Sequence, residues 1–120
     1  MSALQRLAAL SAAVAIVGGA FGAHGASGQA AELLRTGGQY ELAHAIAVIA
    51  VLALGGNRRA AWLIFAGSLV FAFSLYGLAL GAPRWTGAIT PFGGLAMIAG
   101  WLWLAVRFGP ARQSREGGNP

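Results

Sequence analysis

The side chains able to do chemistry gather in one short segment. Tyr40, Glu41 and His44 stand at spacings of four and three, so on a helix all three share one face. A phenol, a carboxyl and an imidazole on one face are suited to proton transfer, to ligand binding or to a hydrogen-bonded lock between helices. His24, Tyr76 and Thr90 are the groups expected to join them, which gives a candidate polar cluster of His24, Tyr40, Glu41, His44, Tyr76 and Thr90. The meeting of His24 with the Tyr40/Glu41/His44 face is its centre.

More demanding chemistry fails on the inventory. A di-iron bundle wants two Glu-x-x-His pairs and two further acids. Here Glu41-x-x-His44 stands alone, with Glu32 the only other acid on that side. His24 and His44 are a formal pair of haem ligands, but the core expected around them is too thin for a macrocycle. Ser74 lacks a GxSxG setting. The run Gly18-Gly19-Ala20-Phe21-Gly22-Ala23-His24-Gly25 fits neither nucleotide-loop pattern. No catalytic residue, metal or cofactor is expected, and the chain is read as non-enzymatic.

The elements that must position these groups follow from composition. Of 120 residues, 58% are hydrophobic and 9% charged, against a usual charged share of about 25%. The basic residues are all Arg, the acids all Glu, and Lys, Asp and Cys are absent. This excludes thiol chemistry, disulfides and a disordered chain, and points to an all-α integral membrane protein. Charge is missing from 7–31, 42–57, 60–83 and 85–106. A span needs about 20 apolar residues, which gives four: about 4–24, 39–55, 60–81 and 88–107. The second reaches that length only by including Gln39, Tyr40 and Glu41. The apolar runs are continuous rather than alternating, which disfavours barrel strands. A cleaved signal peptide is the weaker reading of the first span, whose apolar stretch runs past Val17 to Ala23.

Arg6, Arg58, Arg59, Arg107, Arg112 and Arg115 fall on one side of a four-span topology, and Arg35 and Arg84 on the other. The arginine bias places both termini in the cytoplasm. The net charge of +5 is then a topology signal, and no loop is large enough to read nucleic acid. Residues 1–107 form the membrane domain, and 108–120 a disordered basic cytoplasmic tail. In the first outer loop, Ser27 is expected to cap a short amphipathic helix that Gly37-Gly38 stops. Tyr40 and Trp85 are placed at the outer interface, Trp62 and Trp103 towards the inner one.

Helices in lipid pack through small residues. Ala8, Ala12, Ala15, Gly19 and Gly22 form one stripe, and Gly67, Ser74, Gly77 and Gly81 another, while Gly93 and Gly100 thin the last helix. Four thin faces closing on one axis predict a tight four-helix bundle. The stripes also suit a homo-oligomer or a membrane-protein partner, with intramolecular packing preferred.

Five ordered blocks carry a resemblance: Gly19-Ala20-Phe21-Gly22-Ala23-His24-Gly25, Gln39-Tyr40-Glu41-Leu42-Ala43-His44-Ala45, Phe73-Ser74-Leu75-Tyr76, Ile89-Thr90-Pro91-Phe92-Gly93-Gly94 and Gly100-Trp101-Leu102. On these the chain resembles the small bacterial membrane proteins of the YgdD/YwdK type, the domain of unknown function 423 family, which has transmembrane protein 256 as a eukaryotic relative. The family pattern usually has Gln where this chain has Glu41, and a Gly where it has Phe73. The resemblance implies a four-helix inner-membrane protein and brings no activity with it.

The function expected is therefore a membrane protein whose polar cluster serves packing or partner docking, surrounded by lipid. Two alternatives stay open: a small oligomeric transporter or proton-coupled carrier, and a lipid or quinone binder anchored by His44 and Tyr76. Against the carrier, Glu41 is expected at the membrane rim rather than deep in a span.

Overall fold

The structure is a computed structural model that describes residues 1–109. The expectation of a disordered tail lies, from Pro110 onward, outside the described residues. Four α-helices follow one another: α1 (Ala3–His24), α2 (Gly28–Ala53), α3 (Arg58–Ala79) and, after a 3-10 turn at Arg84–Ala88, α4 (Thr90–Val106).

Local chemistry explains the boundaries. Ser2 and Gln5 close a capping box at the start of α1, and the Asn57 side chain accepts from the backbone of Arg59 and Ala60 at the start of α3. α2 and α3 end alike. Gly55 and Gly81 take left-handed backbone angles, with φ of 74° and 103°. Gly56 N–H then bonds Val51 O at 2.7 Å, and Ala82 N–H bonds Gly77 O at 2.8 Å. Both are Schellman closures, in which the chain folds back onto its last free carbonyls. Pro91 falls in the first turn of α4, where a missing N–H is harmless.

Two expectations are corrected. The first is the separate outer helix. α2 runs without a break from Gly28 to Ala53, straight through Gly37-Gly38. A glycine stops a helix by adopting a left-handed angle, and neither residue does so. Their bareness is used sideways instead. A Cβ on Gly38 would sit 2.9 Å from Ala15 O, and one on Gly37 2.7 Å from the Tyr76 ring. These glycines weaken the helix by up to about 1 kcal/mol each but bring α2 against α1 and α3.

The second is the closed bundle. α1 packs on α2, α2 on α3, and α3 on α4; α1 meets α3 only slightly, and among the described residues the α4 backbone approaches neither α1 nor α2. The helices form a folded series with α4 on the outside. The core lies between the first three helices and the C-terminal part of α4, around Leu4, Ala8, Ala45, Val48, Ala60, Ile64 and Leu104. A smaller cluster of Leu34, Ala72 and Tyr76 lies at the other end. α1, α3 and Arg84–Val106 are long and apolar enough to cross a membrane. α2 carries Glu32, Arg35 and Glu41 and is not among them.

Candidate functional site

Glu41 is fully buried midway along α2. The Ser11 hydroxyl, from α1, donates to its Oε2 at 2.6 Å. The Tyr76 hydroxyl, from α3, donates to its Oε1 at 2.7 Å. One carboxyl thus ties three helices.

Glycine makes the reach possible. Tyr76 lies in the last turn of α3, and helical side chains lean back towards the helix N-terminus. Its ring passes between Gly37 of α2 and Gly18 of α1, where a Cβ would stand 2.7 Å and 3.1 Å from ring carbons. Among the described residues, every buried side-chain N or O atom has a hydrogen-bond partner. The carboxyl is surrounded by protein, with both oxygens occupied.

His44 serves a different contact. Its Nδ1 lies 2.7 Å from Tyr40 O, one turn earlier in α2, and Trp101 Nε1–H donates to its Nε2 at 3.0 Å. A carbonyl on one side and an indole N–H on the other leave a single tautomer, with the proton on Nδ1. Trp101 thereby links α4 to α2 although their backbones stay apart. Tyr40 is exposed, its ring stacked on His44 at 6.1 Å and tilted against Phe71 at 4.9 Å. Thr90 lies elsewhere, with its Oγ1 2.6 Å from Ser74 Oγ. Ser74 donates to Phe71 O, so Thr90 is the donor in that pair.

The six candidate residues therefore divide. Glu41 and Tyr76 come together; Tyr40 and His44 form a second group; Thr90 joins Ser74; and His24 is exposed at the end of α1 without a hydrogen-bond partner among the described residues. The expected meeting of His24 with His44 does not occur. The reason is the earlier start of α2. Residues 28–38 add eleven helical positions before Gln39, about 16 Å of rise. They carry Tyr40, Glu41 and His44 to the middle of the helix while His24 stays at its level. The expected approach of His24 to Tyr40 and Glu41 fails for the same reason. So does haem ligation by both histidines. Among the described residues no three His or Glu side chains converge as a metal site would require.

The packing residues also sort. Cβ atoms at Gly22, Gly67 and Gly93 would come to 3.0, 2.9 and 2.5 Å from neighbouring backbone, and one at Gly100 would strike Ile64. Ser74 joins α3 to Thr90 at the start of α4. Gly19 and Gly77 are looser: a Cβ on Gly19 meets open space, and one on Gly77 has only ordinary contacts. Sequence reasoning missed Ser11, Gly18, Gly37 and Trp101. Ser11 had a signal, since Leu4, Ala8, Ser11, Ala15 and Gly22 are the buried stripe of α1. A lone serine on an alanine stripe of an apolar helix is a bonding group aimed at a neighbour.

The fold defines a class, an all-helical chain with helices fit to cross a membrane, and relatives agree. Residues 18–94 match the family described as Protein of unknown function (DUF423). The chain is similar to the UPF0382 membrane protein YwdK of Bacillus subtilis, 40% identical over 111 residues, covering 83% of this chain and 90% of that protein. A UPF0382 membrane protein of Haemophilus influenzae is 42% identical over 110 residues, covering 82% and 87%. One from Staphylococcus epidermidis is 38% identical over 109 residues, covering 83% and 89%. No solved structure matches. The chain belongs to the DUF423 family.

Proposed function

We propose that the protein is a non-enzymatic, multi-pass scaffold of the bacterial inner membrane. Four spans leave both termini in the cytoplasm, and the Ser11–Glu41–Tyr76 lock holds the first three helices together. α2 counts as the second span because its charged first turns lead into an apolar half, and because Glu41, the acid deepest within it, is wrapped by protein. The carrying observation is that both carboxyl oxygens are already bonded, to Ser11 and Tyr76. A buried polar group fully satisfied by its neighbours positions helices and leaves nothing with which to grip a passing solute. The outward faces, with Leu10, Val17, Phe92, Leu95 and Leu102 exposed, suit lipid or a membrane-protein partner.

The chain has no cysteine, so single cysteines introduced near Ser2, Gly28, Arg58 and Gly81 report sidedness through a membrane-impermeant maleimide. Labelling of the Ser2 and Arg58 positions from the cytoplasmic side, and of the Gly28 and Gly81 positions from the other, is expected. Any other pattern overturns the topology.

A proton-coupled carrier is the second reading, favoured by the depth of Glu41. It requires a pH-driven flux in proteoliposomes that Glu41→Gln abolishes. The scaffold reading expects no flux in either protein.

A further inference from the structure

The α2–α4 face holds a site that the carboxyl lock does not use. Between these helices, over α3, runs a groove of about 400 Å³, within the usual range of small-molecule sites. Tyr40 and His44 form one wall, Phe71 the floor, and Gly94, Met97 and Trp101 the other wall.

The chemistry of this groove is narrow. No charged side chain lines it. Both ring nitrogens of His44 are engaged and so is the Trp101 N–H, which leaves no imidazole lone pair for a metal. What remains are aromatic faces, a thioether, the aliphatic side chain of Ile98 and one polar group. That group is the Tyr40 hydroxyl, 46% of the residue being exposed, with no hydrogen-bond partner among the described residues. Tyr40 stands twelve residues into α2, about 18 Å along the helix axis. With α2 read as a span, its outward face borders lipid, where an unpartnered O–H is costly.

From these observations we infer that the α2–α4 groove binds a quinone-class ligand, a neutral, planar, lipid-soluble ring whose carbonyl accepts from the Tyr40 hydroxyl. The ring is sandwiched by aromatic side chains, which favour stacked or edge contacts. The apolar tail leaves through the open side into lipid. Gly94 supplies the ring's clearance: a Cβ there would stand at an ordinary 3.8 Å from the Phe71 ring, so a longer side chain fills the groove without disturbing the backbone. Tyr76, the other phenol, is committed to Glu41 and takes no part. The inference rests on α2 being a span. Binding is measured in detergent micelles and sidedness in membranes, so the two fail separately.

The test titrates the purified full chain with a short-tailed benzoquinone and follows tryptophan fluorescence, with an alkane of the same tail length as control. Saturable quenching is expected for the quinone and none for the alkane. Tyr40→Phe keeps the ring and removes the donor, and should weaken binding roughly five- to tenfold. Gly94→Leu should abolish saturation while the thermal transition stays close to that of the parent. The proposal is overturned by quenching that rises linearly in the parent, by unchanged affinity in Tyr40→Phe, by unchanged binding in Gly94→Leu, or by equal competition from the alkane. That last result would make the groove a seat for ordinary acyl chains.

Discussion

The two sides of α3 are joined to their neighbours by opposite means. Towards α1 and α2 it sends a long polar side chain, Tyr76, through a glycine slot to a buried carboxyl. Towards α4 it presents bare backbone, with Gly67 and Gly93 each approaching the other's carbonyl. In lipid there is no hydrophobic drive between helices, so contact must come from hydrogen bonds or from close packing. This chain relies mainly on the first towards α1 and α2 and mainly on the second towards α4, where one hydrogen bond, from Thr90 to Ser74, is added at the start of the helix. The polar side is directional and sets which residues stand level. The glycine side is short-ranged and tolerates no added volume.

Perturbing each side separates the two. The largest loss is expected on the polar side from Glu41→Ala, which opens a cavity and strands the Ser11 and Tyr76 hydroxyls: about 3–5 kcal/mol, read as a fall in the thermal transition in detergent. Glu41→Gln should retain most of the stability, because an amide accepts one hydroxyl and donates to the other. A Gln variant as unstable as the Ala variant would mean that charge, not hydrogen bonding, holds the helices.

Next comes the glycine side. Gly93→Ala places a Cβ 2.5 Å from Phe71 N, a clash with backbone that no rotamer relieves. A loss of about 1–3 kcal/mol is expected, together with weaker protection of α4 in hydrogen exchange while α1 and α2 keep theirs.

Smaller effects sharpen the polar side. Tyr76→Phe and Ser11→Ala should each lose about 0.5–1.5 kcal/mol, the range of hydrogen bonds between helices in membranes. Their double mutant should be non-additive because both bond one carboxyl; strict additivity would argue against a shared lock. The smallest change has the opposite sign. Gly19→Ala adds a methyl where nothing lies within 4 Å, so a gain of up to about 1 kcal/mol is expected from helix propensity alone.

Much of this was legible from residue types. A chain of four helices follows from the charge-free windows, three of them long and apolar enough to cross a membrane, and the spacing of Tyr40, Glu41 and His44 puts them on one helix. The misplacement of the site traces to one dipeptide. Gly37-Gly38 is a stop signal when it turns left-handed and a packing surface when it stays helical, and the same letters serve both. The wrong choice shortened α2 and set His24 opposite His44. Ser11 was visible as the one polar group on its stripe, yet its partner depended on the register between α1 and α2.

The sequence by itself determined the helical class and the scarcity of groups able to react. These are local properties, decided by the apolar content of each stretch. The tertiary structure alone decided that Glu41 meets Ser11 and Tyr76, that His44 turns to Trp101, and that α4 stands outside a series instead of closing a bundle. Those pairings depend on how far one helix rises beside another, which is set by the fit of side chains into glycine slots contributed by distant parts of the chain.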